Sequence, residues 1–157
     1  MGKRRVKLLQ TKQSGFTLIE LIVVIVILGI MSAVAIPQFV NLQADARASV
    51  MGGVEGSVRS AATLVYSKSL INGTESLAGG AAGAEVDVNG VTVATAFGYP
   101  TEAAVDLVVD LTGATDVTEA AGVFTYTGQA GCTVTYTEPG AAGNSPNIVN
   151  AATNLTC

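Results

Sequence analysis

Histidine and tryptophan are absent from the 157 residues, and four tyrosines and four phenylalanines supply all the aromatic rings. Without histidine, the usual general base near neutral pH and the commonest metal ligand are both missing. Cysteine is limited to Cys132 and Cys157. Two thiols without histidine make too few soft ligands for a zinc site. Positive charge is scarce as well. Of eight Lys and Arg residues, Lys3, Arg4, Arg5, Lys7 and Lys12 precede the first acid, leaving Arg47, Arg59 and Lys68 against all twelve carboxylates. Such an acidic body argues against binding nucleic acid through a basic patch. No nucleophile–base pair is visible, so neither catalysis nor a cofactor is expected.

What the chain does have is one long apolar run. Residues 16–36 are interrupted only by Thr17, Glu20, Gly29 and Ser32. As a helix this run is about 30 Å long, the thickness of a bilayer core. Five cations before it, with no acid among them, predict a cytoplasmic N-terminus and export of everything that follows. A carboxylate near the start of such a helix is costly, about 2.5–3.5 kcal/mol on insertion scales, so Glu20 calls for a partner. An ordinary secretory signal cleaved after Ala33-Val34-Ala35 is the competing description. The length of the segment and the acid within it count against that description.

A short basic leader ending in Gly15, then Phe16-Thr17-Leu18-Ile19-Glu20-Leu21 and an apolar helix, resembles the type IV prepilins. The resemblance is sharp over residues 12–40. Downstream, Asp45-Ala46-Arg47, Leu64-Val65-Tyr66-Ser67-Lys68 and Gly98-Tyr99-Pro100 resemble the mannose-sensitive haemagglutinin pilins. The resemblance implies that a prepilin peptidase cuts between Gly15 and Phe16 and methylates the new Phe16 amine. It also implies an inner-membrane precursor, an assembly platform with a cytoplasmic ATPase, and a homopolymeric extracellular filament for adhesion and surface colonisation. The runner-up is a pseudopilin of a type II secretion system. Major pseudopilins generally use bound calcium rather than a C-terminal disulfide, so the two cysteines favour the pilus.

The expected organisation is α+β: a leader over 1–15, a membrane and filament-core helix over 16–36, and a head over 37–157. Pro37 should kink the helix. Helical spacing nevertheless resumes in Phe39, Leu42, Ala46, Val50, Val54, Val58, Ala61 or Ala62, and Val65. One long bent helix is therefore expected from Phe16 to about Leu70, closed by Asn72-Gly73 and packed on a small antiparallel sheet. Alternation on both sides of Asn89-Gly90 predicts a two-residue hairpin pairing Val88 with Val91 and Val86 with Val93. A short helix is expected over 102–111, opened by Tyr99-Pro100-Thr101. A second hairpin is expected from 123–127 and 132–137, with an edge strand near Asn147 to Asn150.

Three sets of side chains carry the remaining expectations. Glu20 can pair with the Phe16 amine of its own helix or of a neighbouring copy, or it can snorkel to the headgroups. The resemblance favours the pairing between copies. In an exported head, Cys132 and Cys157 are expected to oxidise to a disulfide, with free thiols or an intermolecular bridge as the alternative. In pilins the loop bounded by that disulfide lies on the outer surface. Asp106, Asp110 and Asp116 lack the dense ligand spacing of a calcium loop and read as a solvated acidic face. The acceptor patterns at Asn72 and Asn154 are common by chance and carry no role.

Overall fold

The computed structural model describes residues 15–153 and 155–157, and of residues 36–41 it describes the backbone alone. The basic leader 1–14 and Asn154 lie outside the described residues. The chain forms two compact units, the first ending at Phe39 and the second comprising Val40–Cys157. Helix α1 runs Leu18–Asn72, starting two residues later and ending two later than expected. The backbone is helical at Pro37.

In the first unit the run Leu18–Ala35 is long and apolar enough to cross a membrane, and none of its side chains is buried. In the second unit α1 buries Met51, Val54, Val58, Ala61, Ala62 and Val65 against the head. That spacing of three and four is the mark of one helix face turned to a core. Val50, expected on this stripe, is instead exposed, and Met51 takes the core position. The helix ends at Gly73, whose φ of 71° lets the chain leave in a left-handed turn.

The head carries two antiparallel meanders rather than one sheet. In the first, β1 (Glu85–Val88), β2 (Val91–Ala96) and β3 (Tyr99–Pro100) lie side by side. Val88 pairs with Val91 and Val86 with Val93 across Asn89-Gly90, the register that the alternation predicts. Val86 and Val93 are buried with Val65 and Ala104. The second sheet is β4 (Val117–Ala120), β5 (Val123–Tyr126), β6 (Thr133–Thr137) and β7 (Asn147–Asn150), with β7 at its edge. Its inward residues Phe124, Val134 and Tyr136 pack with Met51, Val54 and Val58.

Two expectations need correction. The helix over 102–111 does not form, and only the 3₁₀ turn Val105–Leu107, here η1, is helical. Tyr99 and Pro100 are taken instead by β3, and the Thr101 amide donates to the Ala94 carbonyl at 3.0 Å. No side chain caps η1. The Asp110 carboxylate then accepts from the Thr112 hydroxyl at 2.7 Å and its amide at 2.9 Å, a local turn that competes with helix. Asp106 and Asp110 therefore share no helix face. Strand β4 is the second departure, an addition ahead of the strand expected to start at Val123. It is joined to β5 by Ala121-Gly122, where alanine holds a φ of 49°.

Candidate assembly and docking site

Gly15 and Phe16 are exposed and precede the helix, with Phe16 at 94% of its full accessibility. Thr17 is the last residue before α1. Its amide and hydroxyl donate to Glu20 Oε2 at 2.8 and 2.9 Å, and the Glu20 amide donates back to the Thr17 hydroxyl at 3.3 Å. This is a reciprocal capping box, in which the first helical turn satisfies its own orphan donors. The signal was available in the sequence as Thr17-x-x-Glu20 before an apolar run. The partner sought for Glu20 as a cation is thus, within this chain, a threonine. Further along, the Ser32 hydroxyl donates to the Leu28 carbonyl at 2.7 Å and so hides its polar group within the helix.

In the head, Cys132 and Cys157 are joined by a disulfide, with their Cα atoms 4.7 Å apart. Both are buried and belong to the core that includes Phe124 and Val134. Three polar contacts tie this C-terminal segment to α1. The Arg47 guanidinium donates to the Cys157 carbonyl at 2.7 Å and sits over the Tyr126 ring at 5.9 Å. Arg59 donates to the Ile148 carbonyl at 3.3 Å and pairs with Glu55 at 2.8 Å. Asn150 donates to Glu55 at 3.0 Å. The Asn150 amide, followed by the Arg59 guanidinium, holds the Glu55 carboxyl below the usual carboxylate range. Of the backbone groups on the outer edge of β7, the Ile148 carbonyl is thereby given a partner from α1. Arg47, Glu55 and Arg59 lie off the apolar stripe of α1, where the sequence marks them only as charged. Spacing along one helix carries no signal for partners about 90–110 residues away.

Behind these contacts, Tyr136 is buried and its hydroxyl donates to the Pro100 carbonyl at 2.6 Å, linking the two sheets. Burial, with the charges of Glu138 and Glu102 nearby, pushes its phenol well above the ordinary range. Tyr66 stacks on Tyr99 with ring centres 4.4 Å apart. Asp106, Asp110 and Asp116 do not converge. Asp110 is turned onto Thr112, and Asp116 accepts from the Tyr126 hydroxyl at 3.3 Å. Among the described residues no three His, Cys, Asp or Glu side chains are placed to hold a metal ion.

The family described as "Prokaryotic N-terminal methylation motif" matches residues 10–36, the stretch that holds Gly15, Phe16, the capping box and the apolar helix. A type IV narrow pilus major component of Thermus thermophilus is 48% identical over 50 residues, 32% of this chain and 43% of that protein. A type IV major fimbrial protein of Dichelobacter nodosus is 43% identical over 53 residues, 34% of each chain. The type II secretion system core protein G of Pseudomonas aeruginosa is 50% identical over 42 residues, 27% of this chain and 30% of that one. The matched stretches thus span less than half the length of these relatives. No solved structure matches the chain. Over its N-terminal third, this chain carries the methylation motif and is homologous to type IV pilins.

Proposed function

We propose that this chain is the structural subunit of a type IV pilus, made as a single-pass inner-membrane precursor and polymerised into an extracellular filament for adhesion and surface colonisation. The observation that carries this reading is one coincidence at the N-terminus. The methylation motif over 10–36 falls on an exposed Gly15–Phe16 junction followed by a capped, bilayer-length apolar helix. In this reading residues 1–15 stay on the cytoplasmic side and a prepilin peptidase cleaves after Gly15. The Phe16 amine is then methylated. Residues 16–36 leave the membrane for the filament core, with the head 37–157 as its coat. An assembly platform and a cytoplasmic ATPase supply the work, since the head offers assembly surfaces rather than chemistry. Glu20 would exchange its Thr17 contacts for the Phe16 amine of a neighbouring copy and so fix register.

Within the pilins, we read the chain as nearest to the mannose-sensitive haemagglutinin type. Two of the three segments behind that reading meet in space: Tyr66 stacks on Tyr99, and Gly98 lies against the Tyr66 ring. The match to a type II secretion core protein supports a pseudopilin as second reading.

The test combines mass analysis of the purified chain with electron microscopy of the cell surface. The expected result is a mature chain beginning at N-methylated Phe16 and surface filaments that vanish on deletion. Gly15→Val should leave the leader attached and give no filaments. Processed chain that supports protein secretion without surface filaments would establish the pseudopilin instead, and a chain beginning at Ile36 would overturn both readings.

A further inference from the structure

The head has very little positive charge to use against other copies of itself. Arg59 is paired with Glu55, the one ion pair among the described residues, and Arg47 is spent on the Cys157 carbonyl and the Tyr126 ring. Lys68 alone is left with its ammonium uncommitted among the described residues. It lies in a hollow of about 280 Å³ between the last turns of α1 and the Asp87–Asn89 end of the first hairpin. Leu64, Ile71 and Val88 supply the apolar part of that hollow. Ile71 is 80% exposed and Leu64 and Leu70 are each half exposed, so the end of α1 presents a large apolar surface around one cation.

An apolar patch centred on a lysine matches a surface that is apolar with a carboxylate beside it. The head offers two such places of its own, each an uncommitted acid next to an exposed leucine: Asp45 beside Leu42 on α1, and Asp106 beside Leu107 in η1. Glu75, Glu85 and Glu102 have no exposed leucine beside them, and the remaining acids are engaged locally. Asp87 accepts from the Gly90 amide, Asp110 from Thr112, Glu119 from the Gly122 amide and Glu138 from the Glu102 amide. Identical heads carrying eleven acids and three cations repel when packed side by side. A copy-to-copy contact that brings Lys68 onto a neighbour's carboxylate relieves that repulsion where the apolar surfaces meet.

We infer that the Leu64–Lys68–Ile71 face of α1 docks onto a second copy of this chain, with the Lys68 ammonium on Asp45 or Asp106 of that copy. The inference rests on the pilus reading and names a contact between heads, separate from the apolar helices.

The test uses intact filaments grown from a mixture of isotopically light and heavy copies, coupled with a zero-length carbodiimide and digested. The expected product is an amide joining Lys68 of one copy to Asp45 or Asp106 of another, seen as a mixed-isotope peptide pair. Alongside it, Lys68→Gln should lower sheared filament yield about tenfold while membrane abundance and the Cys132–Cys157 disulfide are unchanged, and Lys68→Arg should restore the yield. Filaments whose Lys68 couples only within a copy or not at all, or a Lys68→Gln strain with full yield, would overturn the docking contact and leave the pilus reading intact. A processed wild-type chain that makes no filaments overturns both.

Discussion

At Thr17 and Glu20 two explanations of one carboxylate can be separated by single substitutions, because capping and charge make different demands. The capping box needs an acceptor at residue 20 and a hydroxyl at residue 17, and it works without a net charge. Pairing with a neighbour's amine needs the negative charge. Glu20→Gln keeps the acceptor and removes the charge, whereas Thr17→Ala removes the cap at a cost of about 1 kcal/mol and keeps the charge. If the carboxylate pairs between copies, Glu20→Gln should insert and be processed normally yet give few filaments, and Thr17→Ala should assemble. The readouts are N-terminal mass, membrane abundance and sheared filament from the same cells. Abundant filaments from Glu20→Gln, with loss in Thr17→Ala, would make Glu20 a helix cap and nothing more.

The hairpins show at the scale of elements what sequence could and could not disclose. Three two-residue turns share one geometry, with positive φ at both positions: Asn89-Gly90, Phe97-Gly98 and Ala121-Gly122. Only the first was legible, because asparagine tolerates the left-handed region and announces it. Phenylalanine and alanine do not announce it, and tertiary contacts hold them there. The Phe97 amide donates to the Leu77 carbonyl at 2.7 Å, and the Gly122 carbonyl accepts from the Tyr136 amide at 2.8 Å. The long helix, its closing glycine, the edge strand and the N-terminal methylation motif were readable because each is a local pattern. The missing helix over 102–111 was not, because β3 pairing and the Asp110–Thr112 turn take up its ends, and the contacts from Arg47, Glu55 and Arg59 to the C-terminal segment were not, because distant residues decide them. The same geometry ranks three substitutions. Gly90→Ala meets nothing within 4 Å and should cost about 1 kcal/mol for the backbone alone. At Gly98 an added methyl would sit 2.9 Å from the Tyr66 ring, and at Gly122 2.8 Å from the Tyr136 carbonyl. Both should cost about 2–4 kcal/mol. Equal denaturation midpoints for all three variants in detergent micelles would contradict that ranking.

For the head as a whole, the C-terminal segment is held by one covalent link and a set of charged contacts, and acid distinguishes the two. The disulfide closes a loop across a sequence separation of 25, worth about 3 kcal/mol by chain entropy. It is indifferent to pH between 3 and 7. Cys132→Ser and Cys157→Ser should therefore destabilise the head equally at every pH in that range, with the double variant no worse than either single one. Glu55 behaves otherwise. Its folded pKa is lowered by Asn150 and Arg59, so the unfolded chain binds its proton first as pH falls. Its contribution is complete above the unfolded carboxylate range near 4.3, and it is lost as pH falls through the lower folded value. Glu55→Gln keeps an acceptor for Asn150 but removes the charge beside Arg59. The variant should be less stable than the wild type at pH 7, and the difference should shrink as pH falls below the unfolded carboxylate range. Chemical denaturation of the processed chain in micelles at pH 3, 5 and 7 measures both effects together. A Glu55→Gln deficit that stays constant with pH would mean that Glu55 acts by packing alone and that its ion pair with Arg59 does not help hold β7 to the helix.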